Sequence, residues 1–260
     1  MVIDVKQKLN ELGIKPTRGM GQNFLQDDNI AKKIVRSARL TKKDKVLEIG
    51  PGLGVLTDFI LESAGELVIV EKDRALASYL EGRYSDDDVK VINKDILDMD
   101  LPRFDKVISN LPFSISSPIT FKLLKEDFER GILTYQKQFA ERMVADVGEK
   151  NYSRLTVMTS VYADATILFD IPKHHFCPPP EVDASVVELL PSEPEININD
   201  KDFFSKVVKE LFNYRRKTIK NALKTGLGKT YDDVPYKKKR VDNLDIKKIG
   251  EIVNHVKKNL

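Results

Sequence analysis

The sequence predicts an open α/β sheet, mostly parallel with an antiparallel edge strand, followed by a small helical domain. Three observations carry that expectation. Five short apolar runs between residues 45 and 136 alternate with segments of helical periodicity. Two further strand-like runs, 165–171 and 184–189, are separated by a Pro-rich loop with no room for a crossover helix. Beyond residue 192 the apolar residues recur at helical spacing on a lysine-rich background. The 260 residues suffice for one α/β domain of ordinary size plus an appendage.

Taken in order, Ile30, Ile34, Val35 and Ala38 predict a helix near 28–38, with Asp27 or Asp28 as its N-cap. Lys45–Ile49 reads as the first strand of the alternating region. A glycine loop and a helix through Leu56, Phe59 and Ile60 follow it. Leu67–Val70 is the second strand, with a helix through Leu76 and Leu80 behind it. Val89–Ile92, Phe104–Ser109 and Gly131–Gln136 are the third, fourth and fifth strands, giving βαβ units. Ala165–Ile171 and Ala184–Leu189 should pair antiparallel at one edge. Pro191-Ser192-Glu193-Pro194 is the natural linker, so residues 1–191 are expected to form the α/β domain and 192–260 a basic helical one. In the latter, Phe204, Val207, Val208, Leu211, Ile219, Ala222 and Leu223 share a face opposite Lys206, Lys209, Arg216, Lys217, Lys220 and Lys224. Arg215 falls among the apolar residues of a single unbroken helix, so a break near Asn213-Tyr214 is expected.

Composition narrows the function classes. No apolar run approaches the roughly 20 residues that span a bilayer, and Met1–Lys6 lacks a signal-peptide pattern, so a cytoplasmic protein is expected. One cysteine, Cys177, excludes an intramolecular disulfide and a cysteine metal cluster, and three histidines argue against a zinc site, so no metal is expected. Nothing demands a dimer, and a monomer is expected. The net charge of +3 is unevenly spread: residues 192–260 hold 17 Lys+Arg against 10 Asp+Glu, leaving −4 for residues 1–191. A basic tail on an acidic body suits a polyanionic partner, although a solvated lysine-rich helical surface has the same composition.

Glu48-Ile49-Gly50-Pro51-Gly52-Leu53-Gly54 lies between the first strand and a helix, where open α/β sheets bind ligands. The dinucleotide fingerprint G-x-G-x-x-G fails at its third glycine, where Val55 stands. The G-x-G-x-G present resembles the S-adenosylmethionine loop of Rossmann-like methyltransferases; a glycine turn without a ligand would also leave this pattern. Glu71 ends the second strand about 20 residues on, the place of an acid that accepts from ribose hydroxyls. Asp95, after the third strand, is placed to accept from an adenine amino group. Gly, Glu and Asp on three successive strand ends are more specific than any one of them.

After the fourth strand stands Asn110-Leu111-Pro112-Phe113. It is similar to the (Asn/Asp/Ser)-Pro-Pro-(Tyr/Phe) motif of enzymes that methylate exocyclic amino groups. Its Asn-Leu-Pro-Phe form resembles that of the ribosomal RNA adenine N6,N6-dimethyltransferases. The chemistry accounts for the residue types. An adenine amino nitrogen is a poor nucleophile because its lone pair is delocalised into the ring. Acceptors aimed at both N–H groups, the Asn110 oxygen and a carbonyl at Leu111 or Pro112, favour a pyramidal nitrogen. Pro112 stiffens the turn, and Phe113 offers a stacking face worth roughly 1–3 kcal/mol.

Other segments resemble the same family. Gly21-Gln22-Asn23-Phe24-Leu25 is similar to its N-terminal motif, which closes over the methionine part of the cofactor. Ser116-Ser117-Pro118 and Gln136–Met143 follow as in the family. Phe176-Cys177-Pro178-Pro179-Pro180-Glu181-Val182-Asp183 resembles its Phe-x-Pro-x-Pro-x-Val motif, and Phe212–Thr218 its basic stretch. The resemblance runs from about Gly19 to Leu223 and is weaker over the last 30 residues. It implies a Rossmann-like S-adenosylmethionine methyltransferase sheet. The implied cofactor contacts are Gln22, Asn23, Leu25, Gly50, Gly52, Gly54, Glu71, Lys72, Asp95, Ile96 and Asn110. Catalysis is assigned to Asn110, Leu111, Pro112 and Phe113, with Phe176 as second wall for an extruded base. RNA contacts are assigned to Arg215, Arg216, Lys217 and Lys220. The implied substrate is a pair of adjacent adenosines near the 3′ end of small-subunit rRNA, each dimethylated in an assembling subunit. RNA binding should then weaken with salt.

Other readings fit less well. A ribosome-assembly factor without activity would not need the intact chemical residues, although the two roles can coexist. A DNA adenine methyltransferase shares the Asn motif but lacks the tail motifs, and Val55 disfavours a dinucleotide oxidoreductase. Cys177 beside Pro resembles the nucleophile of cytosine-C5 methyltransferases, but it lies between the last two strands while Asn110 holds the acceptor position.

Overall fold

A computed structural model describes residues 4–16, 21–85, 89–193, 196, 198 and 200–260. Gly19, where the resemblance begins, and Pro194 of the linker lie outside these. In chain order the elements are α1 (Val5–Glu11), β1 (Phe24–Leu25), α2 (Asp28–Ser37), β2 (Lys45–Ile49), α3 (Val55–Leu61), β3 (Glu66–Glu71), α4 (Arg74–Arg83), β4 (Val89–Asn93), β5 (Lys106–Asn110) and α5 (Ser116–Leu123). Then come β6 (Arg130–Gln136), α6 (Lys137–Met143), α7 (Arg154–Tyr162), β7 (Ala163–Ile171), β8 (Phe176–Cys177), β9 (Ala184–Pro191), α8 (Lys201–Asn213), α9 (Ile219–Leu227) and α10 (Ile246–Lys258). No helix among the described residues is long and apolar enough to cross a membrane.

Two compact units emerge: Met1–Ala140 with Thr166–Pro191, and Glu141–Ala165 with Ser192–Leu260. The first holds a seven-stranded sheet in the order β4-β3-β2-β5-β6-β9-β7. β2 pairs parallel with β3 on one side and β5 on the other. The chain steps outward from β2 to β4 and returns on the far side with β5. The topological switch point therefore falls between β2 and β5, beside the loop at Gly50.

The reversed strand is not at the edge. β9 runs antiparallel to β6 and is inserted between it and β7, which takes the edge. The burial patterns explain the order. Ala184–Val187 on β9 are all buried, as a strand covered on both faces requires, whereas β7 mixes exposed and half-buried positions. The helix over 28–38 forms as expected, and Asp27 is its N-cap, accepting from Asn29 N and Ile30 N at 2.9 and 3.1 Å. Ala31, Ile34 and Val35 of α2 face the main core with Ile60, Leu67, Ile69 and Ile108. A separate small core joins Val5 and Leu9 of α1 to Phe24, Leu53 and Leu76.

The second unit differs from the expected 192–260. Glu141–Ala165 groups with it because α7, whose Leu155, Val157 and Val161 are buried, packs on α8 and α10. Tyr152 ties the same segment down: its hydroxyl donates to Leu244 O at 2.9 Å, and its ring lies 5.8 Å from that of Phe212. The helix break falls where Arg215 required it: α8 ends at Asn213 with Tyr214 as cap.

Candidate active site at the carboxyl ends of the strands

The ends of β2, β3, β4 and β5 open onto one cavity of about 310 Å³. After β2 the backbone turns through three left-handed glycines, Gly50, Gly52 and Gly54 at φ 61°, 61° and 86°. Space favours glycine at the first two as well. A Cβ on Gly50 would meet the Pro112 ring at 3.1 Å, and one on Gly52 would meet Phe24 at 2.8 Å. Gly54 lies outside the cavity lining; it starts α3, and the Tyr84 hydroxyl occupies the space its Cβ would need.

Glu71 is 6 % exposed at the end of β3. Its Oε1 accepts from Asp73 N at 2.8 Å and its Oε2 from Gly52 N at 3.4 Å, which holds the carboxylate against the glycine loop. Burial pushes its pKa up to about 7, against the lowering effect of those backbone donors. Asp95 behaves oppositely. Lys72 Nζ at 2.7 Å, joined by Leu97 N at 2.9 Å, holds its carboxyl below the ordinary range.

Glu48 also lines the cavity, a position that sequence reasoning passed over. It is 1 % exposed; Thr57 donates to its Oε2 at 2.7 Å, while Oε1 is buried without a partner among the described residues. Burial, the dominant cause, pushes its pKa up to about 8. Because burial holds the folded value above the ordinary one for a glutamate, Glu48 supports the fold fully below that ordinary value and loses its contribution as pH rises through about 8. Glu48→Gln should therefore raise the melting temperature of the ligand-free protein already at pH 6, and by about 2–4 °C more at pH 9. A gain independent of pH would sink this reading.

At the end of β5, the Asn110 amide donates from Nδ2 to Asn23 O at 3.0 Å, leaving Oδ1 available as an acceptor. Leu111 and Pro112 line the same cavity as Asn110. So do Gln22, Asn23, Leu25, Gly50, Gly52, Glu71, Lys72, Asp95 and Ile96. Phe113 and Phe176 stand outside the lining, 6.5 Å apart and edge to face at 65°. Phe176 is 2 % exposed, so the two rings form a packed pair and not an open slot. Phe24, which sequence reasoning did not single out, packs against Gly52; its only signal was its place inside the Gly21–Leu25 motif.

In the second unit, Arg215, Arg216 and Lys217 lie between α8 and α9 and Lys220 in the first turn of α9, but their charges are not equally available. Lys220 is paired with Asp232 at 2.5 Å. Lys217 donates to Thr225 Oγ1 at 3.1 Å and lies over the Tyr214 ring. Arg216 is exposed and Arg215 half-buried.

A left-handed glycine cradle, a buried orphan carboxylate oxygen and acids on successive strand ends fit S-adenosylmethionine. A sheet of this order with an Asn-x-Pro-aromatic turn beside that cradle defines a Rossmann-like, S-adenosylmethionine-dependent methyltransferase. Residues 15–258 match the family model described as ribosomal RNA adenine dimethylase. The chain is 44 % identical over 246 residues to the Methanococcoides burtonii protein named "Probable ribosomal RNA small subunit methyltransferase A", covering 90 % of this chain and 91 % of that one. It is 43 % identical over 258 residues to the Thermococcus kodakarensis protein of the same name, covering 94 % and 91 %. Among solved structures, a dimethyladenosine transferase from Plasmodium falciparum superposes with a TM-score of 0.78 at 29 % identity, covering 91 % of this chain and 98 % of that one. The chain belongs to the ribosomal RNA adenine dimethylase family. Its activity is that of an S-adenosylmethionine-dependent rRNA adenine dimethyltransferase.

Proposed function

We propose that the enzyme dimethylates N6 of two adjacent adenosines near the 3′ end of small-subunit rRNA during subunit assembly. The observation that carries the chemistry is the Asn110 amide, held by Asn23 O with no donor to its oxygen among the described residues, in the same cavity as the glycine cradle. Small-subunit specificity is favoured by the names of the relatives above.

In this reading Gly50 and Gly52 admit the cofactor against the backbone, Glu71 accepts from its ribose and Asp95 receives its adenine amino group. Gln22, Asn23, Leu25, Lys72 and Ile96 complete its walls. S-adenosylmethionine supplies an activated sulfonium methyl group when bound. Asn110 Oδ1 and a carbonyl of Leu111 or Pro112 draw on the two N–H groups of the target amine. That localises the nitrogen lone pair and orients it for in-line attack. Phe113 gives the base a stacking face, and the edge-to-face contact with Phe176 parts to admit the base between the rings.

The basic helical unit holds phosphates through Arg215, Arg216 and Lys217, with Lys220 joining once it exchanges Asp232 for phosphate. The exposed run Lys237–Arg240 adjoins them, since Ile219 N donates to Lys239 O at 2.8 Å. The test is mass spectrometry of nucleosides from undermethylated small subunits incubated with enzyme and cofactor. N6,N6-dimethyladenosine at two neighbouring positions is expected. Dimethylation elsewhere, or only of large-subunit rRNA, would reject the substrate.

A further inference from the structure

Residues Gly21–Asp27 form a strap that touches the turn after Phe113, Asn110, the glycine loop and the strand carrying Phe176. At its start, a Cβ on Gly21 would lie 2.8 Å from Ser114 N, so the strap presses on the turn after Phe113. Asn23 O accepts from the Asn110 amide at 3.0 Å, and the Phe24 ring lies against Gly52 of the cradle. Phe24 and Leu25 then pair, as β1, with Cys177 and Phe176 of β8. Beyond β1 the strap is fastened to the loop leading into Phe176. Gln26 N donates to His175 O and Gln26 Nε2 to His174 O, both at 3.0 Å. His175 Nδ1 lies 3.1 Å from Asp27 Oδ2. None of Gln26, Asp27 and His175 lines the cavity.

We propose that Gln26, Asp27 and His175 are positioning residues for methyl transfer: they fasten the strap where Asn23 O orients the Asn110 amide and Leu25 seats Phe176. The inference rests on the reading of Asn110 as the acceptor of the target amine. Without the strap, the Asn110 amide has no fixed sense, and its N–H side can face the amine that must be met by an acceptor. The fastening lies on the outer side of the strap, so it acts on the geometry of transfer without contacting cofactor or base. Misplacement of reacting groups by about 1 Å costs on the order of 100-fold in rate.

Two variants probe the fastening without disturbing the fold. Asp27→Asn keeps the helix cap, because Asn caps about as well as Asp, but removes the carboxylate from His175. Gln26→Ala removes one side-chain bond from an exposed position. The full-length double variant should show about a ten-fold lower kcat, consistent with partial misplacement. The KM for rRNA and the dissociation constant of S-adenosylhomocysteine should stay within about two-fold and the melting temperature within about 2 °C, since no binding group or buried contact is lost. Without any ligand, amide hydrogen exchange at residues 22–26 and 175–177 should rise about ten-fold. His175→Gln should reproduce the split from the opposite side of the contact. Faster strap exchange with a wild-type kcat would overturn the proposal. So would a kcat loss matched by lost cofactor binding or a lowered melting temperature, which marks a merely structural contact. Failure of the underlying reading shows elsewhere, as an active Asn110→Ala enzyme in the same assay.

Discussion

Asn110→Ala should lose methyl transfer by about 100- to 1000-fold, the range for removing one preorganised polar group from a transition state. The affinity for S-adenosylhomocysteine should change by less than about two-fold, because the Asn110 amide nitrogen is bonded to Asn23 O and not to the glycine cradle. The asymmetry is the informative part. The side chain forms its decisive interaction with the amine whose lone pair must be localised, so its loss falls on kcat. Asn110→Asp makes the reading stricter. It keeps an acceptor oxygen but has no N–H for Asn23 O, and it sets a carboxylate against that carbonyl; activity below wild type and above alanine is expected. Single-turnover methyl incorporation into undermethylated small subunits is the measurement. An alanine variant at the wild-type rate would remove Asn110 from the chemistry.

Glu71→Ala should have its largest effect on the other quantity, raising the cofactor dissociation constant by about 10- to 100-fold, as hydrogen bonds to a charged acceptor are worth about 1.5–3 kcal/mol. A pH dependence should accompany it. Burial sets the Glu71 pKa at about 7, and ribose hydroxyls donate best to the ionised form. Wild-type affinity should therefore hold above pH 7 and weaken as pH falls below it, with proton release on binding. Glu71→Gln should be weaker throughout and flat across the same window. Calorimetric titration with S-adenosylhomocysteine at pH 6 and pH 8 separates these outcomes. An affinity unchanged in Glu71→Ala would reassign the ribose contact.

What the sequence made legible follows from where apolar residues are contiguous. β2, β3 and β5 announce themselves because each is buried on both faces and reads as a short, mainly apolar run. Gly50, Glu71 and Asn110 were readable for the same reason, as each sits at the end of such a run, whereas Asp95 follows β4, a half-exposed strand with a weaker signal. The insertion of β9 between β6 and β7 was harder to see, since a Pro-rich connection between two strands is equally compatible with either member at the edge. The strap was out of reach. Two-residue strands such as β1 and β8 carry no periodicity, and their pairing joins residues about 150 apart. The packing of Phe176 on Phe113 was hidden likewise: two aromatic residues in two motifs do not disclose whether they face a ligand or each other.

The grouping of Glu141–Ala165 with the C-terminal helices has a consequence for how this chain comes into being. α7 leaves the ribosome well before α8 and α10 exist, so its buried face must wait for some forty further residues before its first partner is made. The polypeptide enters the helical unit, returns to finish the sheet with β7 and β9, and enters it again. Neither unit is a bead that could be cut off or grafted on at residue 191. A gene fragment ending there would encode all seven strands of the sheet burdened with an orphan helix. Any exchange of the helical unit between relatives must therefore carry two separate stretches of sequence together.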